Sequence, residues 1–295
     1  MTDLTGYVAA LLYAMVTALS MSFIHESDQH TPIMVSASWV FLVAILWFSM
    51  VNYRRLARLY GSVWNYRQDW LHINVATVIN WLATFWALNY ISPLLFIMLM
   101  MSLLPSATYM INLVITKSKP NMQQCMYMVS LLLLCFVFTA VSGVMKSSHH
   151  DLVWGIAITI IATVAGSYYL VRSSVLQQKA KMTAVDILTL RFIMITVVTV
   201  TLADKHQLVR AVFDPGLGHM LLLSLVTVIL PLYCLQQALR LVGPVNTSFI
   251  IPFTPIFSLF IQATFFHESF SLMEGLLVMF ISMMLVLGVV SQKRS

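Results

Sequence analysis

The chain has 295 residues, of which 60% are hydrophobic, with 16 Lys and Arg against 10 Asp and Glu and a formal net charge of +6. Charged residues make up 9% of it, where a soluble domain carries about 25%. Too few charges remain to cover a water-facing surface, which excludes a disordered chain, a secreted disulfide scaffold and a soluble nucleotide-binding enzyme.

A helix needs about 20 apolar residues to cross the hydrocarbon core of a bilayer. The first run of that kind is 4–24, which contains Tyr13. It lacks the basic leader and small-residue cleavage site of a signal peptide. His25, Glu26, Asp28 and His30 follow, and a second histidine group stands at His149-His150-Asp151. Neither has the tight spacing of a closed metal site, so no metal is assigned. The second run, 32–51, opens at Pro32 and holds Trp39, and Arg54, Arg55, Arg58 and Arg67 follow it.

From Trp70 to Thr116 there are 47 residues without a formal charge. That is too long for one span and right for two, with the break at 89–93. The third span then carries Asn74, Asn80, Trp81, Thr84, Trp86 and Asn89, and the fourth Pro105, Tyr109 and Asn112. Later runs are 122–144, 152–171 with Tyr168 and Tyr169, and 182–202 with Arg191. The last three are 217–239 with Pro231, Gln236 and Gln237, then 245–265 with Pro252 and Pro255, then 272–290. Stretches such as 131–134 and 156–161 lack the polar–apolar alternation of a membrane strand. The fold class expected is an all-α integral membrane protein of ten transmembrane helices.

Ten spans place both termini on one side. With the N-terminus inside, twelve Lys and Arg fall in inner loops, three in outer loops, and Arg191 within a span. This positive-inside bias predicts cytoplasmic termini. The net charge then marks orientation against anionic lipid, and no nucleic-acid partner is implied. Cys125, Cys135 and Cys234 lie in spans and are expected as free thiols acting as small hydrophobes.

Two stretches about 150 residues apart read alike. Ala87-Leu88-Asn89-Tyr90-Ile91-Ser92-Pro93 parallels Ala238-Leu239-Arg240-Leu241-Val242-Gly243-Pro244, Pro105 answers Pro255, and Trp39 answers Arg191. The chain thus divides into two five-helix repeats, 1–147 and 148–295. Because five is odd, the second is inverted in the membrane. Many secondary transporters use inverted repeats for alternating access, with substrate near the midplane.

The run from Ala238 and Gly243-Pro244 through Ile251-Pro252, Pro255-Ile256-Phe257 and Phe265-Phe266-His267-Glu268-Ser269-Phe270-Ser271 to Gly275 and Leu287-Gly288-Val289 resembles the drug/metabolite transporter superfamily. It is similar to the ten-helix permeases built from two EamA-type repeats. The first half departs from that pattern at Lys117-Ser118-Lys119, where an acidic residue is usual, and at Trp39, where an arginine is common. The resemblance implies a cavity faced by Tyr13, Trp81, Tyr109, Tyr168 and Gln237. It also implies a multi-pass protein of a bacterial inner (cytoplasmic) membrane.

Polar groups at membrane depth require partners. Asn80 and Asn112 fit interhelical hydrogen bonding as well as substrate contact. Gln236 and Gln237 are adjacent, so one of them is expected to face the pathway. Trp70, Tyr90 and Trp154 stand near span ends, where aromatic residues form interfacial belts. Arg191 is open to three readings: snorkelling to the interface, an interhelical anchor, or contact with an anionic substrate group. Pro105, Pro231, Pro252 and Pro255 free backbone carbonyls and kink their helices, and a gating role is expected at Pro252 and Pro255.

No Asp or Glu lies at mid-depth in a span, which disfavours a lipophilic cation as passenger and suits a neutral or zwitterionic solute. No Walker lysine motif appears, and neither a cofactor nor catalysis is expected. The function expected is a secondary transporter exporting an amino acid or related metabolite. Uptake is the alternative, with a membrane enzyme and a non-transporting receptor or scaffold as more distant ones. Its partners are the solute, membrane lipid and a coupled proton or other ion, and the chain is expected as a monomer or weak homodimer.

Overall fold

The computed structural model describes residues 2–27, 32–91, 93–122 and 149–265, with short helical pieces at 124–126, 128–130, 133, 275–276, 279–280 and 283. Of these, 92% are helical and none is in a strand. The expected spans 122–144 and 272–290 lie largely outside the described residues, as do Asp28, His30, Cys135 and the acidic turn 266–271. Cys125 and Cys234 are free thiols.

The described elements are α1 (Thr2–Ser27), α2 (Ile33–Val51), α3 (Leu56–Asn65), α4 (Arg67–Ala87), α5 (Pro93–Thr116) and α6 (His149–Ala180). They continue with α7 (Ala184–Arg191), α8 (Ile193–Leu202), α9 (Lys205–Arg210), α10 (Leu217–Ser224), α11 (Leu230–Ile250) and α12 (Thr254–Phe265). Among the described residues five stretches are long and apolar enough to cross a membrane: Ile33–Val51, Leu95–Thr116, His150–Ala180, Ala184–Leu202 and Gly218–Ser258. The last has 41 residues, about 60 Å of helix, or twice the hydrocarbon thickness. Gly243, with φ 80° and ψ 170°, interrupts it. That backbone region is open essentially to glycine alone. The break foreseen at 89–93 falls between the end of α4 and Pro93, the first residue of α5.

Three boundaries differ from the hydropathy reading. The run 152–171 is part of a 32-residue helix that continues to Ala180. Its polar end carries Arg172 and Lys179, which pair with Asp69, in the first turn of α4, at 3.7 Å and 3.0 Å. The run 182–202 is two helices meeting at Phe192. The basic segment after α2 is a 3₁₀ turn, Tyr53–Arg55, leading into the ten-residue helix α3.

The chain forms two compact units. The first comprises Met1–Val78 and Arg172–Leu241, the second Ile79–Val171 and Val242–Ser295. In the first, α2 packs against α7, α8 and α10, and α1 packs against the π-helical turn Leu225–Ile229. Phe192 is fully buried and stacks on two α2 rings, Phe41 at 5.8 Å and Phe48 at 6.3 Å. The Ser20 hydroxyl donates to the Val226 carbonyl within the π turn, and Ser224 donates to the Val40 carbonyl. Serine bonding to a neighbouring backbone is a recurrent glue between apolar helices.

In the second unit α12 packs against α5. Glycines let other elements approach α6 closely. A Cβ on Gly155 would collide with the Ile91 side chain, and one on Gly166 would come within 2.9 Å of Asn80 Nδ2. Asn80 uses that nitrogen to donate to the Ala162 carbonyl at 2.9 Å.

Candidate functional site

The residues expected to touch substrate divide between the units. Tyr13, Arg191, Gln236 and Gln237 belong to the first, and Trp81, Tyr109 and Tyr168 to the second.

In the first unit the chemistry concentrates at the break between α7 and α8. Helix α7 begins with a capping box: the Thr183 hydroxyl accepts from the Asp186 amide and the Asp186 carboxylate accepts from the Thr183 amide. The other carboxylate oxygen accepts from Asn52 Nδ2 at 2.7 Å. Asp186 is buried, and the helix N-terminus favours its negative charge. It therefore serves to start and seat α7. Arg191 and Asp186 are the buried formal charges among the described residues.

Eight residues on, the helix breaks, and α4 supplies what the break removes. Asn74, fully buried, donates from Nδ2 to the Leu190 carbonyl at 3.0 Å and accepts at Oδ1 from the Met194 amide at 3.3 Å. In an uninterrupted helix those two backbone groups would bond to each other. One amide side chain has been inserted into the ladder, which is a recognised cause of a sharp kink. Trp70 Nε1 also donates to the Leu190 carbonyl, at 3.1 Å. Trp70 was expected in an interfacial belt, and its indole instead makes this interhelical bond.

Arg191 stands at the same place. It is 4% exposed, its Nε donates to Thr77 Oγ1 at 3.2 Å, and its guanidinium lies over the Phe192 ring at 5.4 Å. Thr77 itself donates to the Ile73 carbonyl. The bond to Thr77 is what the anchor reading of Arg191 expects, and it leaves contact with a substrate untouched. The signal in the sequence was the trio Trp70, Asn74 and Thr77, spaced to share one helical face.

The glutamines behave differently from each other. Gln236 is fully buried, and its backbone carbonyl accepts from Gln177 Nε2 at 3.4 Å. Gln237 is half-buried and donates to the Tyr233 hydroxyl at 3.0 Å. Tyr13 is half-buried on α1. Pro231 is the second residue of α11, with Leu230 between it and the π turn, so the irregularity lies just before it.

In the second unit Trp81 is half-buried and leans against Phe85 with ring centres 5.7 Å apart. Tyr109 is buried, and its hydroxyl accepts from the Asn121 amide at 2.6 Å, tying the chain after α5 back onto the helix. Tyr168 is half-buried on α6. Pro105 lies inside α5. Pro252 sits in the 3₁₀ turn Ile251–Phe253 between α11 and α12, and Pro255 is the second residue of α12. The two prolines thus flank a change of helix type.

Residues 153–288 match the EamA-like transporter family. Over that segment the chain is similar to an EamA-like transporter. No curated protein matches the chain. A protein of known crystal structure is similar to it at a TM-score of 0.64, with 16% identity over 98% of this chain and 94% of its own. That likeness concerns the fold alone. The EamA-like segment runs through α6 to α12 and contains Arg191, Gln236, Gln237, Pro252 and Pro255. With five apolar stretches of spanning length among the described residues, the chain is a multi-pass membrane protein, and its segment 153–288 is similar to a family of transporters.

Proposed function

We propose that this EamA-like protein is a ten-helix secondary transporter, built as two inverted five-helix repeats over 1–147 and 148–295, that moves a small neutral or zwitterionic organic metabolite by alternating access. An amino acid or related compound is the substrate class, and export the direction. The membrane is a bacterial inner membrane, with both termini cytoplasmic. The observation that carries the proposal is the EamA-like match on a chain of long apolar helices. The charge inventory supports the substrate class: among the described residues the buried carboxylate, Asp186, is occupied in capping α7, and no other carboxylate is buried. A cationic solute would find no such group there to neutralise it. Trp81, Tyr109, Tyr168, Tyr13 and Gln237 are proposed to contact the solute.

The test is reconstitution into sealed liposomes with a panel of labelled amino acids and organic cations. Protein-dependent flux of a neutral or zwitterionic solute is the expected result. Folded protein that moves none of the panel, or only cations, overturns the proposal.

A further inference from the structure

We propose that α3 and the turn before it form a binding site for anionic phospholipid headgroups, with the helix lying in the plane of the membrane surface. Ten residues of helix rise about 15 Å, half of the roughly 30 Å hydrocarbon core, so α3 does not span. Its apolar residues nevertheless share one face: Leu56, Leu59, Tyr60 and Val63 follow the spacing of an amphipathic helix, and Trp64 extends that face. The protein covers this face only in part. Leu59 is 6% exposed, whereas Tyr60 is 48% and Trp64 75% exposed.

The opposite side and the preceding turn carry Arg54, Arg55 and Arg58, all exposed. None of them joins a salt bridge among the described residues, and the acid that follows in the chain, Asp69, is engaged by Arg172 and Lys179. Three guanidinium groups within five positions thus stand on the polar side of a helix whose other face presents exposed aromatic rings. Guanidinium forks fit phosphate oxygens in a bidentate way. Tyr and Trp rings settle at headgroup depth, and short helices with this pattern lie in the interface. An acidic soluble partner would satisfy the arginines and leave the rings in water. A phospholipid bearing net negative charge satisfies both. The site requires only that the chain is a membrane protein, and stands or falls independently of the transport reading.

The experiment uses the full-length protein in nanodiscs of phosphatidylcholine alone or mixed with phosphatidylglycerol, with retained lipid quantified by mass spectrometry after delipidation. Wild-type protein should retain phosphatidylglycerol over phosphatidylcholine, and the preference should fall with added salt. The R54Q/R55Q/R58Q variant should lose preference by roughly fivefold per arginine, and R54K/R55K/R58K should keep the part of it that depends on charge alone. Equal retention of both lipids by wild type, or an unchanged preference in the glutamine variant, overturns the site. Should the glutamine variant fail to fold, the fluorescence difference between wild type and W64F in brominated lipid decides. Quenching of the Trp64 component supports the in-plane placement, and an unquenched component refutes it.

Discussion

Asn74 takes the place of a backbone hydrogen bond of Leu190: its amide nitrogen donates to the Leu190 carbonyl at 3.0 Å, and its amide oxygen accepts from the Met194 amide that the carbonyl would otherwise bind. A side chain of α4 thereby fixes the point where α7 ends and α8 begins. Replacing Asn74 with leucine of similar size removes both bonds and leaves the part-buried Met194 amide without this acceptor. Leaving a buried polar group unsatisfied costs about 1–3 kcal/mol. The N74L variant should unfold at a lower temperature in detergent by that margin. An unchanged thermal midpoint would show that the break does not depend on Asn74.

The contact between Thr77 and Arg191 is a hydrogen bond to a charged group, a kind that contributes about 1.5–3 kcal/mol. Thr77→Val keeps the shape and deletes the acceptor. It should lower stability within that range, and it should lower it far less when Arg191 is already Gln. A double-mutant cycle over these two positions measures the coupling, with more than about 0.5 kcal/mol expected for groups in direct contact. Strict additivity would place the energetic role of Arg191 elsewhere.

Gly243 sits at φ 80° and ψ 170°, and a Cβ there would meet no neighbour. The penalty of Gly243→Ala is therefore backbone strain alone, about 1–3 kcal/mol. Gly61, inside α3 and also without neighbours to meet, is the matched control. Alanine there should be neutral or stabilise by about 0.5–1 kcal/mol. Thermal denaturation of the two variants side by side should give shifts of opposite sign.

At Gly155 the penalty has another origin. The Ile91 side chain occupies the space of a Cβ, and forcing a methyl into a packed contact costs typically 1–3 kcal/mol. Gly155→Ala should be destabilising, and Ile91→Ala should cost less in that background than in the wild type. Equal costs in both backgrounds would mean that the two residues do not meet.

Trp81 and Gln237 carry the functional predictions. Trp81 packs against a neighbour on its own helix, Phe85, so Trp81→Ala should leave the protein folded while reducing liposome flux on the order of tenfold or more, as losing an orienting contact does. Gln237→Ala should change the substrate concentration at half-maximal flux and leave the thermal midpoint nearly unchanged. Normal kinetics in well-folded variants would remove these residues from the pathway.

The helical class and the apolar stretches were legible because hydrophobic run length is a property of composition, and the EamA-like segment because the motif run 238–289 resembles that family. The break at 89–93 was legible for the same reason, since a 47-residue uncharged run exceeds one span. What escaped were features set by contacts distant in sequence. No local pattern marks the break at Phe192, because 192–195 is as apolar and helix-compatible as its surroundings. The cause lies in Asn74, more than a hundred residues away. Helix α3 was hidden by its arginines, which make an amphipathic helix read as a loop. Trp70 was placed by its position near a span end, where belt residues and hydrogen-bond donors look alike. The 3₁₀ turn around Pro252 was half legible: the prolines announced an irregularity but not its form.

Both compact units are assembled from early and late parts of the chain. Ser20 finds its acceptor at Val226, and the Val40 carbonyl finds its donor at Ser224. During synthesis the first unit must wait, with α1 and α2 already made, until the ribosome has delivered residues up to Leu241. Pairings of such sequence separation form late. A chain stopped at residue 147 holds neither unit complete, so the two halves should fail to fold when expressed alone and recover only when made together.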